Sequence, residues 1–199
     1  MKVKFFYDYI CPFCYIASNR LIRLSKEFGF EIEWFGIEIH PEFTNEGNKR
    51  KKTVRFQHII ETLNEVAKDD NTEIKLPGFV TNSRLCLEAS IFAKEKDKFL
   101  PFHNSVYSSY FNNKVNIGIV ENILQIAEKS GLDSSELYEA LKKRKYKNTI
   151  TENQKFADEN MVLGVPTIYF NDLRIHGTQS IDVYRILINK ELSKKDNTH

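Results

Sequence analysis

The chain has 199 residues, 41% of them hydrophobic and 28% charged, a composition typical of a globular protein with one good core. Its 29 basic and 27 acidic residues give a formal net charge of +2, so no large charge excess favours nucleic acid or an anionic membrane as a partner. No apolar run approaches the ~20 residues of a membrane-spanning helix, and no apolar signal core precedes the first predicted strand. We therefore expect a cytoplasmic protein.

The first predicted element is a strand over residues 2–10, which are rich in aromatic and branched side chains. An amphipathic helix follows, because apolar residues then recur at helical spacing. Two cysteines, Cys11 and Cys14, lie where the strand meets the helix. The sequence thus places a thiol pair at a helix N-terminus.

The first turn of a helix has backbone N–H groups without partners and a partial positive charge, and both favour a thiolate. With Cys11 as the cap, Pro12 takes the first helical position, where it removes no hydrogen bond. The amides of Phe13 and Cys14 are then expected to point at the Cys11 sulfur. We predict Cys11 as the nucleophile and Cys14 as the resolving thiol.

The second predicted strand covers residues 31–35, bends at Gly36, and ends at His40 and Pro41. A charged stretch over residues 45–52 reads as a solvated loop. From residue 53 to about residue 144 the apolar period becomes helical, and this middle third is predicted to be all-helical. The predicted helices cover residues 54–67, 83–95, 99–111, 119–129 and 136–143, with Ser134 capping the last of them.

The last third predicts a helix over residues 152–162 and a strand over residues 165–170, with Pro166 near the start of the strand. Asn171 and Asp172 form a hairpin turn into another short strand, and Ser180 caps a closing helix. A polar tail is predicted to follow this helix.

The sequence limits the roles that several other side chains can have. Cys86 shares a helical apolar stripe and is interpreted as a buried structural thiol. Asp8 is either a proton acceptor for Cys14 or a polar strand end, and both interpretations stay open. The aromatic residues of segment 99–111 are interpreted as core in preference to a hydrophobic groove. Zinc is disfavoured, because neither a second CxxC pair nor a histidine pair at metal spacing accompanies Cys11 and Cys14.

The motifs together resemble those of a known family. A strand–CxxC–helix unit, a Val165-Pro166 pair at the start of a late strand, and this element order resemble the thioredoxin fold with the large helical insertion of the DsbA-like family. The segments 8–15, 34–42, 110–113 and 164–167 look like its FrnE-like branch, which includes relatives of 2-hydroxychromene-2-carboxylate isomerase and kappa-class glutathione transferase. The resemblance implies an α/β protein with a thioredoxin-like domain over residues 1–44 and 150–193. It also implies an inserted helical domain over residues 45–149 and a polar tail over residues 194–199.

The resemblance further implies a thiol-disulfide oxidoreductase that acts on protein or small-molecule disulfides. Pro166 would be a cis proline beside the cysteines, the Val165 backbone would pair with an extended substrate, and Pro12 and Phe13 would offer an apolar contact. Glutathione is a possible co-substrate, and neither a metal nor a tightly bound cofactor is expected.

Two other functions remain open. One is a glutathione-dependent transferase or isomerase, which would need no dithiol cycle; those relatives typically carry serine where this chain has Cys11, so the cysteine favours dithiol chemistry. The other is a non-enzymatic peptide-binding chaperone that uses the aromatic residues of the insertion.

Overall fold

The computed structural model describes residues 1–70 and 74–196 and contains a four-stranded mixed sheet. The strand order is β2-β1-β5-β6, in which β1 is parallel to β2 and antiparallel to β5, and β5 and β6 form a hairpin. The four strands are β1 Lys2–Tyr7, β2 Glu31–Gly36, β5 Thr167–Phe170 and β6 Leu173–His176.

Three helices directly precede or follow strands of this sheet in the sequence. Five other helices follow β2 and form the insertion. The first group is α1 Pro12–Phe28, α7 Lys147–Glu159 and α8 Ile181–Asp196. The second group is α2 Val54–Ala67, α3 Arg84–Glu95, α4 Phe99–Tyr107, α5 Val120–Lys129 and α6 Ser134–Lys142. A 3-10 turn at Lys68–Asp70 extends α2, and a π-helical turn at Ser108–Asn112 extends α4. The predicted bounds of α2 are confirmed.

One apolar cluster runs through both parts of the molecule. It includes Phe5 and Tyr7 on β1, Leu21 on α1, and Phe102 and Phe111 from the α4 region, all fully or almost fully buried. Because the sheet and the insertion share this core, burial alone sets no boundary between them. The domain division over residues 1–44, 45–149 and 150–193 therefore stays a prediction, and its boundary at residue 150 falls inside α7.

The insertion is not purely helical. Asn48–Lys49 and Phe79–Val80 form a two-stranded antiparallel ribbon, β3 and β4, within a stretch predicted as loop and helix. The strands are two residues each and pair across 30 to 32 positions of sequence, so no period-2 pattern indicates them.

Several other predicted boundaries also differ from the structure. Strand β2 ends at Gly36 and does not continue to His40, although the Ile37 amide still donates to the Tyr7 carbonyl of β1. Asp133, not Ser134, caps α6, because its side chain accepts from the Glu136 amide at 2.9 Å. Helix α7 begins five residues before the predicted start.

At the C-terminal end, Ser180 caps α8 as predicted, and its hydroxyl accepts from the Val183 amide at 3.3 Å. Helix α8 extends to Asp196, so the predicted polar tail over residues 194–199 begins inside the helix, and its last three residues lie outside the described residues.

Candidate active site

The thiol pair lies at the start of α1, at the edge where β1 ends. Cys11 is the N-cap of the helix, with extended backbone angles, and Pro12 holds the first helical position. The amides of Cys14 and Tyr15 donate to the Cys11 carbonyl at 3.1 and 3.4 Å. Cys11 is 6% exposed and Cys14 is 0% exposed, and both are free thiols.

The Cys11 sulfur is not oriented as the sequence predicts. Its side chain makes no capping hydrogen bond to the amides of the first turn. The thiol donates instead to the Val165 carbonyl at 3.6 Å, across 154 residues of sequence. A neutral thiol can donate to a carbonyl oxygen, and its sulfur is only a weak acceptor for backbone amides. The loop before β5 is therefore in direct contact with the first cysteine.

That loop contains Val165 and Pro166, which are joined by a cis peptide bond. Val165 is half-buried and Pro166 is buried. In the part of the chain that the structure describes, the Val165 N–H has no hydrogen-bond partner. Four sequence-predicted residues, Cys11, Cys14, Val165 and Pro166, thus converge on one place.

Pro12 and Phe13, the other two predicted residues, border the same place. Both are half-buried, and Phe13 packs against an apolar cluster of Ile16, Leu63 and Ala67. The Phe13 ring therefore lies between α1 and α2 and is only partly open to solvent.

A second loop, which the sequence does not single out, holds both sides of the site. The Thr178 hydroxyl donates to the Phe13 carbonyl at 2.8 Å, and the Gly177 amide donates to the Pro166 carbonyl at 2.9 Å. Both contacts span too many residues, or involve too common a residue type, for a sequence pattern to indicate them.

The buried Arg20 side chain holds the loop that contains Gly177 and Thr178 in place. Its guanidinium donates to the carbonyls of Gln179 at 2.5 Å and Val66 at 2.8 Å. It also forms an ion pair with Asp70, with 2.5 Å between Nη2 and Oδ2. Arg20 is 1% exposed, so one buried cation connects α1, the end of α2 and the loop before α8.

Burial dominates the electrostatics of the second thiol. It raises the pKa of Cys14 well above its usual value, and the neighbouring Cys11 sulfur raises it further. Burial likewise raises the pKa of Cys86, whose predicted burial on α3 is confirmed at 0% exposure. Cys14 is therefore a poor nucleophile until a charge change nearby or a proton acceptor favours its thiolate.

Asp8 is fully buried just before the site. Its carboxylate accepts from the Ile39 amide at 2.9 Å and from the Ile10 amide at 3.3 Å. Burial raises its pKa to about 6, although these amides favour the charged form. Both open interpretations of Asp8 keep support, since its oxygens accept from two loop amides and its negative charge contributes to the raised pKa of Cys14.

The pKa of Asp8 has a measurable consequence for stability. Because the folded state holds this proton more tightly than the unfolded state, the wild-type free energy of unfolding should fall as pH rises from about 4 to about 6. The shift corresponds to about 3 kcal/mol. Asp8→Asn should remove this component, so the stability difference between the two proteins should change with pH over that interval.

Urea unfolding from pH 4 to pH 8 measures this difference, and Asp172→Asn, at an exposed carboxyl in the β5–β6 turn, is the matched control. A difference between wild type and Asp8→Asn that stays constant with pH would contradict a raised Asp8 pKa.

The buried aromatic residues behind the site belong to the core. Phe102, Tyr107, Tyr110 and Phe111 are all 0% exposed, which confirms their interpretation as core residues, and Phe99 is partly buried against the same cluster. The Tyr107 hydroxyl donates to the Asp8 carbonyl at 3.2 Å. Among the described residues, no group of three or more histidine, cysteine and acidic side chains could hold a metal ion. No helix within residues 1–70 and 74–196 is long and apolar enough to cross a membrane.

The fold and this site define a thioredoxin-like protein with a helical insertion. The family model of the DsbA-like thioredoxin domain matches residues 2–189, and the chain belongs to that family.

Relatives in sequence cover nearly the whole chain. An uncharacterized protein of Bacillus subtilis, YwbO, is 29% identical over 98% of this chain and 99% of its own length. The 2-hydroxychromene-2-carboxylate isomerase of a Pseudomonas species is 23% identical over 85% of this chain and 82% of its own length.

Solved structures share the fold. A probable DsbA oxidoreductase of Streptomyces coelicolor has a TM-score of 0.87 at 18% identity, over 97% of this chain and 90% of its own. The cytosolic disulfide reductase DsbM of Pseudomonas aeruginosa, solved with glutathione, has a TM-score of 0.72 at 14% identity, over 97% of this chain and 100% of its own.

Proposed function

We propose that this protein is a thiol-disulfide oxidoreductase that works through the Cys11–Cys14 dithiol. The observation that carries the proposal is the contact of the Cys11 sulfur, at the start of α1, with the Val165 carbonyl beside Pro166, while Cys14 lies buried one turn behind. This arrangement supports one thiol that meets the substrate and one that resolves the adduct.

The proposed reaction has two balanced steps. The Cys11 thiolate attacks one sulfur of a substrate disulfide, so a mixed disulfide forms and the other substrate sulfur leaves as a thiolate that takes up a proton. Cys14 then loses its proton and attacks the Cys11 sulfur, which closes the Cys11–Cys14 disulfide and releases the second substrate thiolate. The substrate gains two electrons and the dithiol loses two; the reverse sequence would oxidise a substrate dithiol.

Glutathione is the proposed small co-substrate. Two glutathione molecules would reduce the Cys11–Cys14 disulfide and leave as glutathione disulfide. Support comes from DsbM, which shares the fold and is solved with glutathione. That protein is described as cytosolic, which supports the predicted cytoplasmic location of this one.

A protein substrate is supported by the surface around the site. The unpaired Val165 N–H can bond to an extended peptide, as in strand addition. Leu163, 89% exposed, and Met161, 65% exposed, precede it in the same loop and can contact apolar peptide side chains.

The test measures whether the pair cycles. The full chain is equilibrated in buffers with increasing ratios of reduced to oxidised glutathione. Free thiols are then blocked with an alkylating reagent, and the mass of the protein is measured by mass spectrometry. The proposal expects a single transition in which the mass difference equals two alkyl groups, together with catalysed reduction of a protein disulfide. A Cys86→Ala variant should behave as wild type; a pair that never forms the intramolecular disulfide would refute the proposal.

An isomerase or transferase is the second candidate, favoured by the relative named 2-hydroxychromene-2-carboxylate isomerase. Such an activity would need glutathione but no resolving thiol. Turnover of a small aromatic substrate by Cys14→Ser at the wild-type rate, only in the presence of glutathione, would select it over dithiol chemistry.

The residue between the cysteines should set the reduction potential. Phe13→His should make the protein more oxidising, because an imidazolium near the helix start stabilises the Cys11 thiolate and so the reduced form. A tenfold change in the equilibrium constant between the protein dithiol and glutathione corresponds to about 30 mV in reduction potential. The effect should be larger at pH 6 than at pH 8, since histidine is charged below a pKa of ~6.5.

Phe13→Leu is the matched control, because it keeps an apolar side chain against Ile16 and Leu63 without adding a charge. Glutathione equilibria of the three proteins at both pH values provide the measurement. Equal potentials for the histidine and leucine variants, or a histidine effect that is the same at both pH values, would contradict the electrostatic explanation.

A further inference from the structure

A cavity of about 460 Å³ lies between α2 and the segment that leads into β4. This volume is in the range of small-molecule sites. Its walls are mostly apolar side chains, namely Phe56, Ile60, Leu63, Ile74, Leu76 and Pro77. None of its lining residues is Cys11, Cys14, Val165 or Pro166, and its nearest link to the thiol pair is Leu63, which also packs against Phe13.

The polar part of the lining is positively charged. Lys49, Arg50 and Lys52 contribute to the cavity, and Asn64 adds an amide, whereas no lining residue given by the structure is acidic. An apolar cavity with three cations and, among its described lining residues, no carboxylate is complementary to a ligand that combines apolar surface with a negative charge.

Arg50 is the most informative of the three cations. Its Nε donates to the Pro77 carbonyl at 3.1 Å, and its guanidinium lies 5.1 Å from the centre of the Phe56 ring. A second donor reaches the Phe79 carbonyl only at 3.4 Å. The guanidinium is thus held in place at the cavity by neutral partners.

Arg50 forms no ion pair with any residue in the described ranges 1–70 and 74–196. Burial lowers the pKa of Arg50, which is the effect expected for a cation that has lost water without gaining a carboxylate. A partly buried charge without a counter-charge is unfavourable. A carboxylate can supply that counter-charge, because it accepts two parallel hydrogen bonds from one guanidinium.

We propose that this cavity binds an organic monocarboxylate with a compact apolar body, whose carboxylate pairs with Arg50 and whose body packs against Phe56, Ile60 and Leu63. The shared chemistry is one carboxylate on an apolar body, and the body is either an aromatic ring system or a medium-length alkyl chain. Lys49 and Lys52 add attraction at the rim. The proposal does not depend on the dithiol reaction.

The experiment is calorimetric titration of the reduced full chain with 2-naphthoate and, separately, with decanoate. Tighter binding of the first assigns an aromatic body, and tighter binding of the second assigns an alkyl chain. The neutral alcohols with the same apolar bodies should bind at least tenfold more weakly, because they cannot form the charge-assisted pair. Failure of both carboxylates to bind at millimolar concentration would overturn the proposal.

Variants locate the binding. Arg50→Met keeps an apolar stem but removes the charge, and it should weaken carboxylate binding at least tenfold. Lys129→Met removes an exposed cation on α5 outside the cavity and should bind as wild type. Ile60→Trp fills the cavity while leaving Arg50 unchanged, so it should abolish binding even if Arg50→Met fails to fold. Thermal unfolding checks the fold of each variant.

Two further results would overturn the site. Arg50→Met and Ile60→Trp binding as tightly as wild type would exclude the cavity. Loss of binding in a Cys11→Ser/Cys14→Ser double variant would place the ligand at the thiol pair instead. Retained binding in that double variant supports the cavity whether or not the oxidoreductase proposal holds.

Discussion

Replacing Cys11 by serine should reduce disulfide turnover to the rate without protein, whereas replacing Cys14 by serine should leave the first attack and stop at a mixed disulfide. The difference follows from their places on α1. Cys11 holds the N-cap position and contacts the Val165 carbonyl, while Cys14 is 0% exposed with a pKa raised by burial. Under the proposed function, we expect Cys11 to meet the substrate and Cys14 to attack the resulting adduct.

Intact mass spectrometry after mixing each variant with a disulfide substrate measures this asymmetry. Cys14→Ser should gain the mass of one substrate thiol, and Cys11→Ser should gain none. Cys86→Ala removes the other buried cysteine and should turn over as wild type. Equal trapping by Cys11→Ser and Cys14→Ser would show that the two thiols do not have separate roles.

The parts of the fold with strong local signals could be predicted from the sequence. The strand–CxxC–helix junction follows from β-branched and aromatic residues before Cys11 and from Pro12 after it. The closing hairpin follows from Asn171 and Asp172, and Ser180 indicates the start of α8. In each case the residues that determine the structure are neighbours in sequence.

The parts that depend on distant contacts could not be predicted. The ribbon of β3 and β4 pairs residues about 30 positions apart, and its strands are too short to show a period. The N-terminal turn of α7, from Lys147 to Ile150, is largely polar, so apolar spacing does not reveal where the helix begins. Asp133 and Ser134 are both good caps, and only the position of the Glu136 amide decides between them.

The candidate site shows the same division. Cys11 and Cys14 are evident from their spacing, and Val165 and Pro166 come from family resemblance. Thr178, which donates to the Phe13 carbonyl, has no local signal. Arg20 did have one, since it lies four residues from both Ile16 and Leu24, on the buried side of α1. A charge on an apolar helix face indicates a buried partner, and Asp70 is that partner.

Removing the Asp70 carboxylate, the ion-pair partner of Arg20, should strongly lower the stability of the protein. Asp70→Ala should lower the free energy of unfolding by about 3–5 kcal/mol, because it takes the Asp70 carboxylate away from the buried Arg20 cation. Arg20 is 1% exposed and the Asp70 side chain 5%, so water cannot compensate. Arg23, which pairs with the same carboxylate at 3.3 Å, is 57% exposed, so Arg23→Ala should cost less than about 1 kcal/mol and is the matched control.

Urea unfolding at constant pH measures both changes in the free energy of unfolding. An unaltered slope of this free energy against urea concentration indicates that the unfolded state is unchanged. An Asp70→Ala protein within 1 kcal/mol of wild type would contradict a strong buried ion pair. Because Arg20 also donates to the Gln179 carbonyl, next to Thr178, its release should loosen the loop that holds Phe13 and Pro166. Hydrogen exchange of the Gly177 amide, which donates to the Pro166 carbonyl, should therefore be faster in Asp70→Ala than in Arg23→Ala.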